Sequence, residues 1–310
     1  MNDIEPINQT KLYGLDKYFN ELIYLYERNI LPNKILLSGQ KGIGKSTLAY
    51  HFINYVLSLN EYHKYDLKNF NINSQSSIFK TIQNNSNPNF IKIDVSNDKK
   101  LIDINQIRDL ISLINKSSFN DKPRFILIDN IEYLNVNSIN ALLKILEEPN
   151  QNVNFLLINN NKKILSTLLS RCINFRINLS YMESAKIIYQ LLNKDLENLI
   201  NKDFVNYYST PGYVYGLVQF SQKYNFDLLK LDLKNFLKIL IQDNYYKKDN
   251  FITNMIYSLI EFYLRKPNQI FSKLLYEKYN YFVRRISDTK IYNLDKDLLF
   301  AEFTEEILDV

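Results

Sequence analysis

The sequence has a single cysteine, Cys172, no tryptophan, and only 6 glycines among 310 residues. One cysteine excludes a disulfide framework and a four-cysteine zinc site. The amino-terminal stretch MNDIEPINQT is acidic and polar, without the apolar segment of a secretory signal. No apolar run reaches the length of a membrane span, so no membrane contact is expected. Concentrated charge is lacking too. The net charge of +5 is spread as lysines among asparagines and aspartates, with no arginine cluster. That balance permits contact with nucleic acid without arguing for it.

What glycine there is stands in telling places. Gly39, Gly42 and Gly44 fall within six positions, in LLSGQKGIGKSTLAYHF. A chain nearly free of glycine elsewhere has kept it where backbone must turn sharply or approach a ligand. The surrounding pattern alternates. Short apolar runs at 34–39, 90–95, 124–129 and 153–159 read as buried strands. Helical periodicity occupies 16–29, 45–59, 101–117 and 135–149, the last with Asn135 or Asn137 as cap and Pro149 past its end. The Asn-rich stretch 60–89 reads as a variable surface region with one helix. Strands alternating with helices predict an α/β domain, a parallel sheet with helices on both faces. After residue 176 no strand is expected. Ser180 and Glu183 form a capping box, and helices fill the remainder, four longer ones between 226 and 306.

Gly39-Gln40-Lys41-Gly42-Ile43-Gly44-Lys45-Ser46, followed by Thr47, matches G-x-x-x-x-G-K-[ST] between a predicted strand and a predicted helix. Inward-pointing backbone N–H groups and the helix N-terminus suit phosphates. Lys45 would reach the β- and γ-phosphates of ATP, and Ser46 would give its hydroxyl to Mg²⁺. Asp129, closing the apolar run RFILID, is the expected acid on the magnesium side.

Three stretches, LPNKILLSGQKGIGKSTLAYHF, SINALLKILEEPNQNVNFLLI and LLSRC, together resemble the bacterial clamp-loader subunits of the AAA+ class, most of all the delta-prime type of the DNA polymerase III holoenzyme. The sharp motifs cover residues 12 to 176. The resemblance implies an AAA+ domain over 1–176, a small helical lid over 177–222 and a helical collar over 223–310. It implies that Asn159 serves as the sensor 1 polar residue. It implies that Arg171, the arginine of S-R-C, acts in trans as an arginine finger on a neighbour's nucleotide. Cys172 beside it is expected to be a buried small hydrophobe.

The departures from that family pattern are equally informative. Asn130 stands where motor subunits carry the water-activating glutamate, and asparagine cannot take a proton. Glu132 can substitute only if the turn bends it inward. Tyr213, Val214 and Tyr215 stand where a sensor 2 arginine is expected, and the cysteines that hold zinc in many relatives are missing. The implied role is a subunit that binds ATP with Mg²⁺ but no zinc and hydrolyses ATP poorly. It would sit in a cytoplasmic hetero-pentameric ring with motor subunits and delta, and the ring would place the sliding clamp on primed DNA. The alternatives are a self-sufficient motor ATPase of the same class and, more distantly, a P-loop kinase, in which the A-L-L-K-x-L-E-E-P and S-R-C motifs would have no purpose.

Overall fold

The computed structural model of the chain describes residues 5–96, 99, 101–115, 120–147, 152–206, 209–248, 250–265, 273–292 and 294–309. Among them are five strands: β1 (Lys34–Ser38), β2 (Phe90–Ile93), β3 (Arg124–Ile128), β4 (Val153–Asn159) and β5 (Ile173–Arg176). They form one sheet in the order β2-β3-β4-β1-β5, every pairing parallel. The interleaved helices are α1 (Asp16–Glu27), α2 (Lys45–Ser58), α3 (Ser77–Gln83), α4 (Ile104–Ile114), α5 (Val136–Glu147), α6 (Ser166–Leu169) and α7 (Tyr181–Leu192).

Side-chain alternation along the strands makes the two layers. Ile35, Leu37, Phe125, Leu127, Leu156 and Ile158 join a core with α1, α2 and α3. Their sequence neighbours Leu36, Ile126, Ile128, Phe155 and Leu157 face the opposite way and join α4 and α5. Both faces of the inner strands β1, β3 and β4 are dry, so these strands read as apolar runs. Helix starts follow local chemistry. Asp103 and Gln106 form a capping box on α4, as do Ser180 and Glu183 on α7. Asn135 is the cap of α5, its Oδ1 accepting from the Ser138 backbone N–H at 2.8 Å; Pro149 lies outside the described residues.

Two expectations need correction. The strand β5 was not foreseen: it has four residues and no apolar run, and pairing with β1 is what makes it a strand. The region 60–89 carries its one helix, α3, but it is not a surface dressing. Tyr65, Ile72, Phe79 and Ile82 are buried in the core that α2 covers. Its asparagines occupy turns between these anchors, and they masked the anchors in the composition.

The chain divides into two compact units, one of Met1–Leu196 with Tyr207–Gln219, the other of Glu197–Asn206 with Phe220–Val310. The helix α8 (Pro211–Tyr224) carries the chain from the first to the second. The second unit is helical, with α9 (Leu233–Gln242), α10 (Asn250–Leu264), α11 (Lys273–Tyr292) and α12 (Lys296–Phe303) around buried Phe204, Phe220, Phe236, Phe282, Phe300 and Phe303. A parallel α/β sheet followed by an all-helical segment is the order expected. No helix among the described residues is long and apolar enough to cross a membrane.

One buried group makes this fold pH-sensitive. His51 on α2 is fully buried, its Nε2 lying 3.1 Å from the Gln9 carbonyl and its Nδ1 2.8 Å from the Tyr65 hydroxyl. A carbonyl only accepts, so Nε2 carries the proton and Nδ1 accepts from Tyr65. Burial pushes the imidazolium down to about 4. The unfolded chain therefore binds this proton more readily, and stability falls as pH drops below about 6.5. Between pH 7 and pH 5 the loss attributable to His51 should be about 2 kcal/mol. Urea unfolding of wild type and His51→Gln at both pH values checks it. The variant, less stable at pH 7, should lose correspondingly less on acidification, and equal losses would refute the assignment.

Candidate functional site

Three neighbouring strands end together. In the order β3-β4-β1, the carboxyl ends of β3, β4 and β1 deliver Asp129, Asn159 and the loop Gly39–Gly44 to one edge of the sheet. Open parallel sheets bind ligands at this edge. The loop then enters α2, whose first residues are Lys45, Ser46 and Thr47. Gly42 and Gly44 have φ of +85° and +93°. Both are in the left-handed region, so a side chain at either position would strain the loop.

Lys45 is the best-held side chain here. It is 3% exposed, and its Nζ donates to the Gly39 carbonyl (2.9 Å), the Gln40 carbonyl (2.7 Å) and Asn160 Oδ1 (2.9 Å). Burial lowers its ammonium to about 8, opposed by the nearby carboxylates of Asp129 and Glu132. A desolvated cation of this kind gains from an anionic ligand. The Ser46 hydroxyl donates to Asp129 Oδ2 at 2.5 Å. Burial pushes the Asp129 carboxyl above its usual range, and the Ser46 hydrogen bond pulls the other way. A carboxylate and a hydroxyl side by side, both oxygen ligands, suit a hard divalent cation that keeps most of its water.

The remaining loop residues hold the loop in place. Ile43 points into the core. The Lys41 carbonyl accepts from the Thr210 hydroxyl at 2.9 Å, and the Gly42 carbonyl accepts from the Gly212 N–H at 2.8 Å. A Cβ on Gly212 would stand 2.8 Å from that carbonyl oxygen, so glycine lets the start of α8 lie directly on the loop. Beside this contact opens a shallow cleft of about 120 Å³, with Tyr13, Gly44, Thr47, Ile187, Leu191 and Tyr215 among its lining residues. Apolar walls next to a phosphate loop suit a flat aromatic base. Tyr215 thus lines this cleft without adding a charge.

The structure separates two neighbouring asparagines. Asn159 closes a local turn, its Oδ1 accepting from the Lys162 N–H (3.0 Å) and its Nδ2 donating to the Lys162 carbonyl (2.9 Å). Asn160 is the residue that reaches Lys45. In the sequence, three consecutive asparagines, Asn159 to Asn161, give no sign of which one turns inward. Arg171 is not brought to the loop. Ile173 pairs with Ile35 near the start of β1, whereas the loop follows its end. More than ~10 Å of strand, at about 3.3 Å per residue, lies between them. There Arg171 donates to the Thr167 carbonyl at 2.8 Å and pairs with Glu147, both partly exposed. Cys172 next to it is buried in the α4/α5 core, and burial pushes its thiol up to about 11. Among the described residues no group of three or more His, Cys, Asp or Glu side chains is placed to hold a metal ion.

The family model described as DNA polymerase III, delta subunit, matches residues 14–180. The DNA polymerase III subunit delta′ of Buchnera aphidicola (subsp. Schizaphis graminum) is 30% identical over 188 residues, 60% of this chain and 55% of that protein. The subunit gamma/tau of Mycoplasma genitalium is 30% identical over 171 residues, 55% of this chain and 27% of its own length. The matched part of this chain thus spans about half the length of the first relative and less of the second. A solved structure of a DNA polymerase III gamma subunit-related protein from Thermotoga maritima overlays with a TM-score of 0.48 at 16% identity, covering 92% of this chain and 97% of that one. The family match takes in the phosphate loop, the Asp129 strand and S-R-C, more than half of the chain, and with it the chain belongs to the DNA polymerase III delta-subunit family, in the clamp-loader group to which delta′ and gamma/tau also belong.

Proposed function

We propose that this chain is a clamp-loader subunit that binds ATP and Mg²⁺ at the Gly39–Thr47 loop and lends Arg171 to the nucleotide site of a neighbouring subunit. The observation that carries the reading is the opposition of the two ends of the sheet. The loop, Lys45, Ser46 and Asp129 gather at one end, while the arginine stands at the other, beyond reach of its own loop. A site without its own arginine, and an arginine without its own site, are what a head-to-tail ring requires. In such a ring the partners are motor subunits and delta, five subunits in all, and the assembly acts on the sliding clamp and primed DNA. Residues 1–176 serve as the nucleotide-binding domain, 177–222 as the lid and 223–310 as the collar.

The chain's own residues divide the work. Backbone N–H groups of the loop cradle the phosphates, and Lys45 sets a positive charge against the outer ones. Ser46 and Asp129 would hold the magnesium, which would supply positive charge against the phosphates. The Tyr13–Tyr215 cleft takes the base. Arg171 keeps its charge at any working pH, and its planar fork matches a transferring phosphoryl group.

Titration of the isolated chain with fluorescent ATP and ADP analogues, beside a radiolabelled-ATP turnover assay, tests this reading. Both nucleotides should bind. Turnover should be about 10⁻³ s⁻¹ or slower, the range of P-loop sites that lack an arginine finger. Failure to bind either nucleotide would reject the reading. Turnover near ~1 s⁻¹ by the isolated chain would favour the self-sufficient motor instead.

A further inference from the structure

Asn130 replaces the water-activating glutamate of motor subunits, yet a carboxylate still reaches that side of the loop. Asn130 has a left-handed backbone, φ +56°, and Ile131–Tyr133 then form a single 3₁₀ turn closed by the Tyr133 N–H on the Asn130 carbonyl at 2.9 Å. This tight reversal folds Glu132 back to the strand ends. Its Oε1 accepts from Asn160 Nδ2 at 2.9 Å, and Asn160 Oδ1 accepts from Lys45 Nζ at 2.9 Å. The amide orientation is forced. An ammonium only donates, so the oxygen of Asn160 faces Lys45 and its two amide hydrogens go to Glu132 and to Asn130 Oδ1, the latter at 2.8 Å. The Asn130 amide is engaged at both ends, its Oδ1 by Asn160 and its Nδ2 by Asp94, to which it donates at 2.8 Å. Glu132 is only partly buried, so water reaches it. It is also one of the two carboxylates that hold up the Lys45 charge.

We propose that Glu132 supplies the carboxylate that orients the attacking water at the terminal phosphate of a bound nucleoside triphosphate, displaced two positions along the chain from where motor subunits carry it. The inference rests on the nucleotide reading given above. In the step it serves, the water oxygen bonds to the γ-phosphorus as the bond from that phosphorus to the β–γ bridging oxygen breaks. The water proton passes to Glu132, and ADP and inorganic phosphate are left. Asn160 acts as the positioning residue, tying the carboxylate to Lys45 by two hydrogen bonds across one amide.

A carboxylate in that place repels the γ-phosphate and scarcely feels a diphosphate. The consequence can be read without turnover. Glu132→Gln keeps the size and the acceptor oxygen offered to Asn160, so the fold should hold, as a thermal melt verifies. In the full-length chain this variant should bind ATP roughly five- to ten-fold more tightly, with ADP affinity changed less than about two-fold, as expected for one like charge removed at short range. Single-turnover hydrolysis with enzyme in excess should slow at least ~10-fold, the low end of what a positioned base contributes. Asp94→Asn, behind Asn130, should leave the ATP-to-ADP affinity ratio where it was. An unchanged ratio in Glu132→Gln, with both nucleotides bound, would overturn the proposal. An equal shift in Asp94→Asn would also overturn it, because the effect would then be diffuse charge rather than a carboxylate facing the phosphate. If wild type binds neither nucleotide, the nucleotide reading fails and this inference fails with it, an outcome plainly different from the other two.

Discussion

Lys45→Ala is expected to weaken Mg-ATP binding to the isolated chain by about 100-fold or more, since losing one well-formed charged contact pair costs roughly 3 kcal/mol. The size follows from how the side chain is held. Its ammonium is buried, and its three protons go to two loop carbonyls and Asn160. Alanine removes the charge and leaves those three acceptors without a donor. It also leaves Asp129 and Glu132, the carboxylates nearest the ammonium, without a counter-charge beside the polyanion. The added repulsion acts against the phosphates in the same direction as the lost attraction. ADP should lose affinity too, by a smaller factor, because it brings less charge to the site. Calorimetric titration of wild type and variant decides, with a thermal melt to show that the variant is folded. Equal affinities would mean that the loop geometry serves packing alone.

Arg171→Ala should leave this chain's own nucleotide affinity within about two-fold, because the side chain stands at the other end of β1 from the loop and makes no contact there. In an assembled complex the same change should reduce hydrolysis at the neighbouring site by roughly a thousandfold or more, the range seen for arginine fingers in phosphoryl transfer. Total turnover of a ring with several active sites would fall by a smaller fraction, so the assay must resolve loading of a clamp as well as phosphate release. Arg171→Lys should not rescue, since an ammonium cannot match the two-pronged geometry of guanidinium on phosphate. The pair with Glu147 is exposed enough to be exchanged at little cost, so it does not bar the arginine from a partner. Full clamp-loading activity in the alanine complex would remove Arg171 from the proposed role.

Much of this molecule was legible as letters, and the reasons are local. The loop Gly39–Ser46 is readable because its geometry constrains a contiguous run: glycines that take φ near +90°, a lysine and a hydroxyl at the first turn of a helix. The strands β1, β3 and β4 are readable because the centre of a sheet buried on both faces needs apolar runs. The capping box at Ser180 is likewise a matter of neighbours three residues apart. The Asp129 assignment could be made from the end of an apolar strand, and the structure sets that side chain 2.5 Å from the Ser46 hydroxyl.

Other features depended on contacts between distant segments. The strand β5 pairs with β1, a partner 138 positions earlier at Ile35–Ile173, and its four residues alternate apolar and polar, Ile-Asn-Phe-Arg, without the apolar run that marks β1, β3 and β4. The buried anchors of 60–89 became visible only when α2 and α3 enclosed them. Which asparagine of the Asn159–Asn161 run turns to Lys45 is a question of side-chain direction at a strand end, and three identical letters cannot answer it. Whether Glu132 bends inward depended on the left-handed backbone at Asn130, a conformation that asparagine tolerates but does not announce. By itself the sequence determined the family, the position of the glycine loop between strand and helix, and the layer order, because each rests on residues adjacent in the chain or on a simple period. The tertiary structure alone decided where Arg171 stands relative to its own loop and which carboxylate faces Lys45, because both are set by strand register and turn geometry that join segments far apart in sequence.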